Sequence, residues 1–249
     1  WTKVATADGY IGYVRNKRLG SVTETTISNE FTEPEYTRIK KDYTINLVWH
    51  QISNMDSNYA LSSDIESMTG VNTISPTWFS VASKDGTVSS LADSSYVETA
   101  HEKGLEVWGL VDNFNQEVDM KEVLTNTTAR EKLTTQLIEA ALEYQLDGLN
   151  IDFENLGEEL GDAYIEFLRE LSIQCRKNNL VLSSDNTVPR DFSAYYQRSE
   201  QAEVVDYFII MGYDEHYVGS DPGSVASLSF EKEGIESTIA EGVPADKII

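Results

Sequence analysis

The stretch Asp147 to Glu154 reads Asp-Gly-Leu-Asn-Ile-Asp-Phe-Glu. It follows a helical run at 129–145 and alternates apolar with polar side chains. In a strand, Leu149, Ile151 and Phe153 share one face and Asn150, Asp152 and Glu154 the other. If this strand is covered on both sides, its polar face points into protein, where carboxyl groups are costly without partners or a task. Residues two apart lie about 6.5 Å apart along a strand, and two carboxylates that close in a poorly solvated interior do not both ionise cheaply. One of them then keeps a proton near neutral pH, as a general acid must. The expected division leaves the charge on Asp152 and the proton on Glu154. The alternatives are a solvated amphipathic strand or a salt-bridged core. No Lys or Arg lies in the expected strands to serve a salt-bridged core.

Other side chains fit contacts with a ligand. Trp49, Trp78, Trp108, Tyr213 and Tyr217 could stack on a flat ligand face. Trp78, where the second expected strand runs into a loop, is the first choice for a wall of the site, whereas Trp49 and Trp108, inside strands, equally suit core packing. Asp112 and Asn113, with Asp185 and Asn186, stand in expected strand-end loops as ligand hydrogen-bonding groups. His50 and His216 also end strands, but nothing else has metal-ligand spacing, so neither a metal site nor a cofactor is expected. His101 reads as a surface helix residue, and Cys175 as a small core residue.

These residues need elements to hold them. Strands are expected at 45–50, 73–81, 105–111, 147–154, 180–184 and 204–211, with helices at 94–103, 129–145, 163–178, 195–202 and within 224–241. Strand and helix alternate with the ~30-residue rhythm of βαβ units in a parallel sheet. No Gly-rich phosphate loop follows the first strand, which weakens a dinucleotide-binding reading. Polar clusters end four successive strands. A doubly wound sheet binds at one crevice, while a (β/α)8 TIM barrel rings its active site with such strand ends, so the barrel is favoured. Six strands and a seventh opening at 247–249 fall short of eight, so the barrel is expected to be truncated. Residues 1–20 form a small β segment with a turn at Ala7-Asp8-Gly9, and the polar residues 21–41 read as a linker.

The 249 residues carry 42 acidic and 19 basic side chains, a formal net charge of -23. That argues against nucleic acid or an anionic membrane surface as partner. No apolar run is long enough to span a bilayer. The chain begins at Trp1 rather than methionine, so the missing signal peptide says little about compartment. The single cysteine excludes a disulfide within the chain.

The central stretch resembles the DGxDxDxE motif of glycoside hydrolase family 18, which includes chitinases and related N-acetylglucosaminidases. Asp147, Gly148, Asp152 and Glu154 match it, and Asn150 departs from it, standing where the family usually has aspartate. A second motif, Met-x-Tyr-Asp, is matched by Met211, Tyr213 and Asp214. The resemblance covers about 42–249, and its wording is closest to the branch associated with the bacterial spore cortex and cell wall. Residues 1–20 resemble the last strands of a bacterial SH3-like domain. The resemblance implies hydrolysis of β-1,4 bonds next to N-acetylglucosamine with retention, the substrate's own acetamido oxygen acting as nucleophile. It implies that Glu154 is acid and then base, that Asp152 orients the acetamido group, and that Tyr213 donates a hydrogen bond to it. It further implies that Asp214 contacts the sugar and that Met211 and Asn150 line the site, while Asp147 is structural. An amide at 150 could hydrogen-bond Asp152 but not take its proton, so an altered pH dependence is expected. The implied partner is an N-acetylglucosamine-containing polysaccharide, and the implied location the bacterial exterior, envelope or spore. The alternative is a carbohydrate-binding protein on the same scaffold without turnover, against which the presence of Glu154 speaks. Oligomeric state is not legible.

Overall fold

The structure, a computed structural model, describes all residues except 7–9, 22 and 24–36. It divides into two units, 1–35 and 36–249. In the first, β1 (Thr2–Ala5) and β2 (Ile11–Val14) form an antiparallel hairpin in the register Thr2↔Val14. The expected turn at Ala7-Asp8-Gly9 and most of the expected linker lie outside the described residues. The SH3-like reading of this segment remains an expectation.

The second unit contains β3 (Leu47–His50), β4 (Thr73–Val81), β5 (Val88–Ser90), β6 (Glu106–Asp112), β7 (Gly148–Asp152), β8 (Val181–Thr187) and β9 (Tyr207–Met211). Six of these run parallel in the order β3-β4-β6-β7-β8-β9, and β5 folds back antiparallel on β4. Between them lie α1 (Leu61–Asp64), α2 (Ser94–Glu102), α3 (Met120–Leu124), α4 (Thr127–Glu143), α5 (Gly161–Lys177) and α6 (Arg198–Val204), and α7 (Leu228–Ala240) follows β9. The sheet curls as six strands of a (β/α)8 barrel. Ile248 already pairs in parallel with Phe208, where a seventh strand was expected to open.

The local causes are ordinary. Asn126 caps α4 through Oδ1, which accepts from the Thr128 and Ala129 amides. Gly104 follows α2 with φ +76°, the left-handed conformation that ends helices. Leu149, Ile151 and Phe153 pack with Leu133, Leu137, Phe167 and Leu168 of the covering helices α4 and α5. All five residues of β7 are buried, so its polar face is an interior face. Gly148 has a second task. A Cβ there would meet the Val181 carbonyl oxygen at 2.7 Å, so only glycine lets β7 and β8 approach at this point.

The amino-terminal face of the barrel is closed by the end of the expected linker. The Ile39 amide donates to Asp206 Oδ1 and the Lys41 amide to the Tyr207 hydroxyl, both at 2.7 Å. Trp108 stacks on Tyr207 at this end, 5.6 Å between centroids, and is fully buried. Asp147 ties the same face together, its Oδ2 bonding the Val107 amide and the His101 ring at 2.8 Å each.

Candidate active site

Three strands bring a row of carboxyl groups to the carboxyl end of the sheet. The parallel register pairs Asp112 of β6 with Asp152 of β7. Asn150↔Ser183 and Ile151↔Ser184 then set Asp185 of β8 as the next rung beside Asp152. Adjacent strands are about 4.8 Å apart, so the three carboxyl groups are side by side. Among the described residues no salt bridge reaches Asp112, Asp152, Asp185 or Glu154. A salt-bridged core is therefore not what this strand builds.

Glu154 stands two residues past Asp152, half-buried, where the chain turns out of the strand. Asn113 clamps that turn, donating from Nδ2 to the Glu154 carbonyl and accepting the Glu154 amide at Oδ1, each at 2.8 Å. The Tyr196 hydroxyl donates to the Phe153 carbonyl at 2.9 Å from the other side, and Asn155 takes φ +52°. Asn113, expected to contact sugar, spends its amide on the backbone of Glu154 instead.

The electrostatics follow from burial without cations. Burial, then Glu154, then Asp112 push Asp152 up to about 7. Glu154 is raised by burial and then by Asp214. Asp185 lies well above the carboxylate range because of burial and then Asp152, with bonds from Asn150 and Trp49 pulling the other way. The push toward the protonated form therefore acts deep in the row as well as on Glu154. This departs from the expected division that leaves Asp152 simply charged. Tyr213 is raised to about 12 by burial and by the surrounding carboxyl groups, so it stays a neutral hydroxyl.

Asn150 is fully buried but does not bond Asp152. Its Nδ2 donates to Asp185 Oδ2 at 2.8 Å and to Ser75 Oγ at 3.3 Å, and its Oδ1 accepts from Ser183 at 2.7 Å. The reason is the direction of the side chains. Asn150 and Ser183 face each other across β7 and β8, and Asp185 lies one step further along the same interior face.

A cleft of about 510 Å³ opens above the row, lined by Trp49, Phe114 and Tyr213 together with Asp112, Asp152, Glu154, Asp185 and Met211. Trp49 and Tyr213 meet edge to face at 6.3 Å and expose 38% and 42% of their surface. Asp214 lies beside Glu154 in the adjoining cleft and has φ +63°. Asp112 is held by Ser80 Oγ at 2.7 Å and by the Phe114 amide.

Trp78 borders this cleft but is not the exposed wall expected of it. It is 2% exposed, with its indole N–H on Asn58 Oδ1 at 2.8 Å and its ring against Tyr96. The cause is a β-bulge. The register of β4 with β6 shifts between Thr77 and Phe79, so Trp78 is the extra residue and turns to the helix side. Trp49 takes the exposed position instead. Asp185 and Asn186, expected in a loop, belong to β8, which runs to Thr187. Asn186 faces α6 and exchanges hydrogen bonds with Gln201. Among the described residues no group of three His, Cys, Asp or Glu side chains could hold a metal ion.

Residues 43–249 match the model of glycosyl hydrolases family 18. The chain belongs to that family. A Bacillus subtilis relative described as "Uncharacterized glycosylase YvbX" is 28% identical over 178 residues, 67% of this chain and 52% of its own length. The cortical fragment-lytic enzyme of the same organism is 27% identical over 133 residues, 51% of this chain and 31% of that one. The chain spans about half the length, or less, of these curated relatives. The spore cortex-lytic enzyme SleL of Bacillus cereus shares the fold at a TM-score of 0.72 and 20% identity, covering 87% of this chain and 51% of that chain. A chitinase of Chromobacterium violaceum does so at 0.71 and 19%, covering 83% and 67%. In this family 18 member the aspartate usual at position 150 is an amide, and Asp185 stands beside Asp152 on the next strand. Ser75, Ser183, Asp185 and the exposed Phe114 were not singled out for these places by sequence reasoning. Continuing the alternation of β8 past Ser184 would have placed Asp185 on the interior face with Ser183.

Proposed function

We propose that this chain is the catalytic barrel of a retaining glycosidase that cleaves β-1,4 bonds next to N-acetylglucosamine. The observation that carries the reading is Glu154 at the mouth of an aromatic-lined cleft, directly above a cation-free row of buried carboxyl groups. Glu154 protonates the glycosidic oxygen as the bond to the leaving sugar breaks. The acetamido oxygen of the substrate attacks the anomeric carbon, and the Tyr213 hydroxyl donates to that oxygen and orients it. Asp152, ionised at that point, stabilises the positive charge that develops on the acetamido group. Glu154, now a carboxylate, takes a proton from the water that attacks the anomeric carbon as its bond to the acetamido oxygen breaks, and configuration is retained. Asp112 and Asp214 hold sugar hydroxyls, and Trp49 supplies an apolar face.

The substrate class is a cell-wall glycan or chitin. Relatives named for cortex lysis support peptidoglycan and an envelope or spore location. No helix of the described residues is long and apolar enough to cross a membrane. Glu154→Gln is expected to lower hydrolysis of a chromogenic chito-oligosaccharide by about 10²-fold or more, with an unchanged circular dichroism spectrum. Unchanged turnover would overturn the role of Glu154 and favour a carbohydrate-binding protein without turnover. Comparing sugar release from purified cortex with release from chitin decides the substrate.

A further inference from the structure

Two buried oxygen atoms at the floor of the cleft have no partner. They are Asp152 Oδ1 and Asp185 Oδ1. The side chains that carry them stand beside each other on adjacent parallel strands, on the rung that follows Ile151↔Ser184. Asp185 is 3% exposed and its other oxygen is fully committed, accepting from Asn150 Nδ2 at 2.8 Å and from Trp49 Nε1 at 3.2 Å. These two donors fix the carboxyl plane of Asp185 and leave one oxygen free on the interior face it shares with Asp152. A carboxylate pair this deep, with no cation, is held together only by a proton between its members.

We infer that Asp185 is the proton partner of Asp152, a positioning residue on β8 that holds the proton while Asp152 acts as a carboxylate. The inference rests on the roles assigned above to Glu154 and Asp152. In the resting site one proton is shared between Asp152 Oδ1 and Asp185 Oδ1. As positive charge develops on the substrate, the O–H bond on Asp152 breaks and one on Asp185 forms. The pair carries one negative charge before and after, so no outside acid or base is needed. Asn150 serves this arrangement as a donor. Its amide holds Asp185 and adds no third charge, which an aspartate at 150 would do.

The titratable neighbours all bear on this pair. They are Glu154 beyond β7, Asp112 on β6, Tyr213 and Asp214 after β9, and Tyr164 on α5. None is a cation, and β9 offers Ile209 opposite Asp185. Both members of the pair are pushed toward the protonated form by burial. Asp152 is the first charged neighbour to act on Asp185, ahead of Glu154.

The test is a carbon-13 NMR titration of aspartate side-chain carboxyl carbons in the full chain, with Asp152 and Asp185 assigned by substitution. The pair is expected to titrate in two linked steps, the upper one above the ordinary carboxylate range. In Asp185→Asn, which keeps an oxygen for Asn150 and Trp49, Asp152 should titrate in a single step about one unit lower or more. Asp152→Asn should lower Asp185 in the same way. The pH profile of kcat should shift in Asp185→Asn and kcat at neutral pH fall about tenfold, with KM little changed. The double variant N150D/D185N puts the carboxyl group on β7 instead and should recover most of that loss. An Asp152 titration identical in wild type and Asp185→Asn overturns the inference, as does a double variant no more active than Asp185→Asn. The carboxyl titration does not depend on turnover. An inactive role for Glu154 would therefore sink the glycosidase reading and leave the titration result standing.

Discussion

Trp49 and Trp78 are both indoles near strand ends, and their fates differ because of one bulge. Trp49 exposes its ring to the cleft and also donates to Asp185. Trp49→Ala therefore removes an apolar sugar face and a support of the carboxyl row. KM for a chito-oligosaccharide is expected to rise about tenfold, the equivalent of about 1.4 kcal/mol. Trp49→Phe keeps a face and loses the donor, so it should recover most of the KM while leaving kcat low. Trp78→Phe should do the reverse. It deletes a fully buried donor and strands Asn58 Oδ1, costing about 1–3 kcal/mol in urea denaturation with KM unchanged. A larger KM effect from Trp78→Phe than from Trp49→Ala would reverse these assignments. Residue types alone announced the carboxylates and the tyrosine of this site. They did not distinguish the two tryptophans, because a bulge depends on how two strands pair.

At the scale of elements, the proposed catalytic glutamate, Glu154, is placed by a turn rather than by its strand. Asn113, at the end of β6, bonds the backbone of Glu154 twice. Asn113→Ala leaves a half-buried amide and carbonyl without those partners. The expected result is a kcat several-fold lower with KM nearly constant, and a loss of about 1–3 kcal/mol in chemical denaturation. If KM rises instead while stability holds, Asn113 contacts sugar after all. The β7–β8 seam is the other constraint. A methyl group at Gly148 meets the Val181 backbone, so Gly148→Ala should destabilise the barrel by about 1–3 kcal/mol and disturb the carboxyl row that the seam aligns. The strand and helix order was legible from the βα rhythm, since each helix buries an apolar face on the sheet. The short β5 and α3 were missed, having too few residues to show a period. The end of β8 was set three residues early, because Asp185-Asn186 reads as a loop wherever burial is not visible.

At the scale of the whole molecule, the row of buried carboxyl groups costs stability. Asp152 has a folded pKa of about 7, above its ordinary value of 3.8. A raised carboxyl group favours the fold below the ordinary value, where it is protonated in both states. That contribution is lost as pH rises through about 7, where the folded chain must bury the charge. Asp152→Asn should therefore be inactive yet more thermostable than wild type. The difference in Tm should be small at pH 4 and grow toward pH 8, as scanning calorimetry would record. A difference that shrinks with pH would mean Asp152 is stabilised as a carboxylate. The net charge of -23 adds a general repulsion, so salt should raise the Tm of both proteins alike.

The sequence by itself determined the family and the βα order and put Asp152, Glu154 and Tyr213 forward as candidate site residues, because period-two alternation and motif spacing are local properties of the chain. Asn150 was legible as a departure, but not its consequence. Only the tertiary structure decided that Asn150 serves Asp185 rather than Asp152, that Trp49 faces the cleft, and that Asn113 holds Glu154. Each depends on the register between strands far apart in sequence. Register is fixed by packing across the whole sheet, so it selects which of several polar neighbours a buried side chain meets.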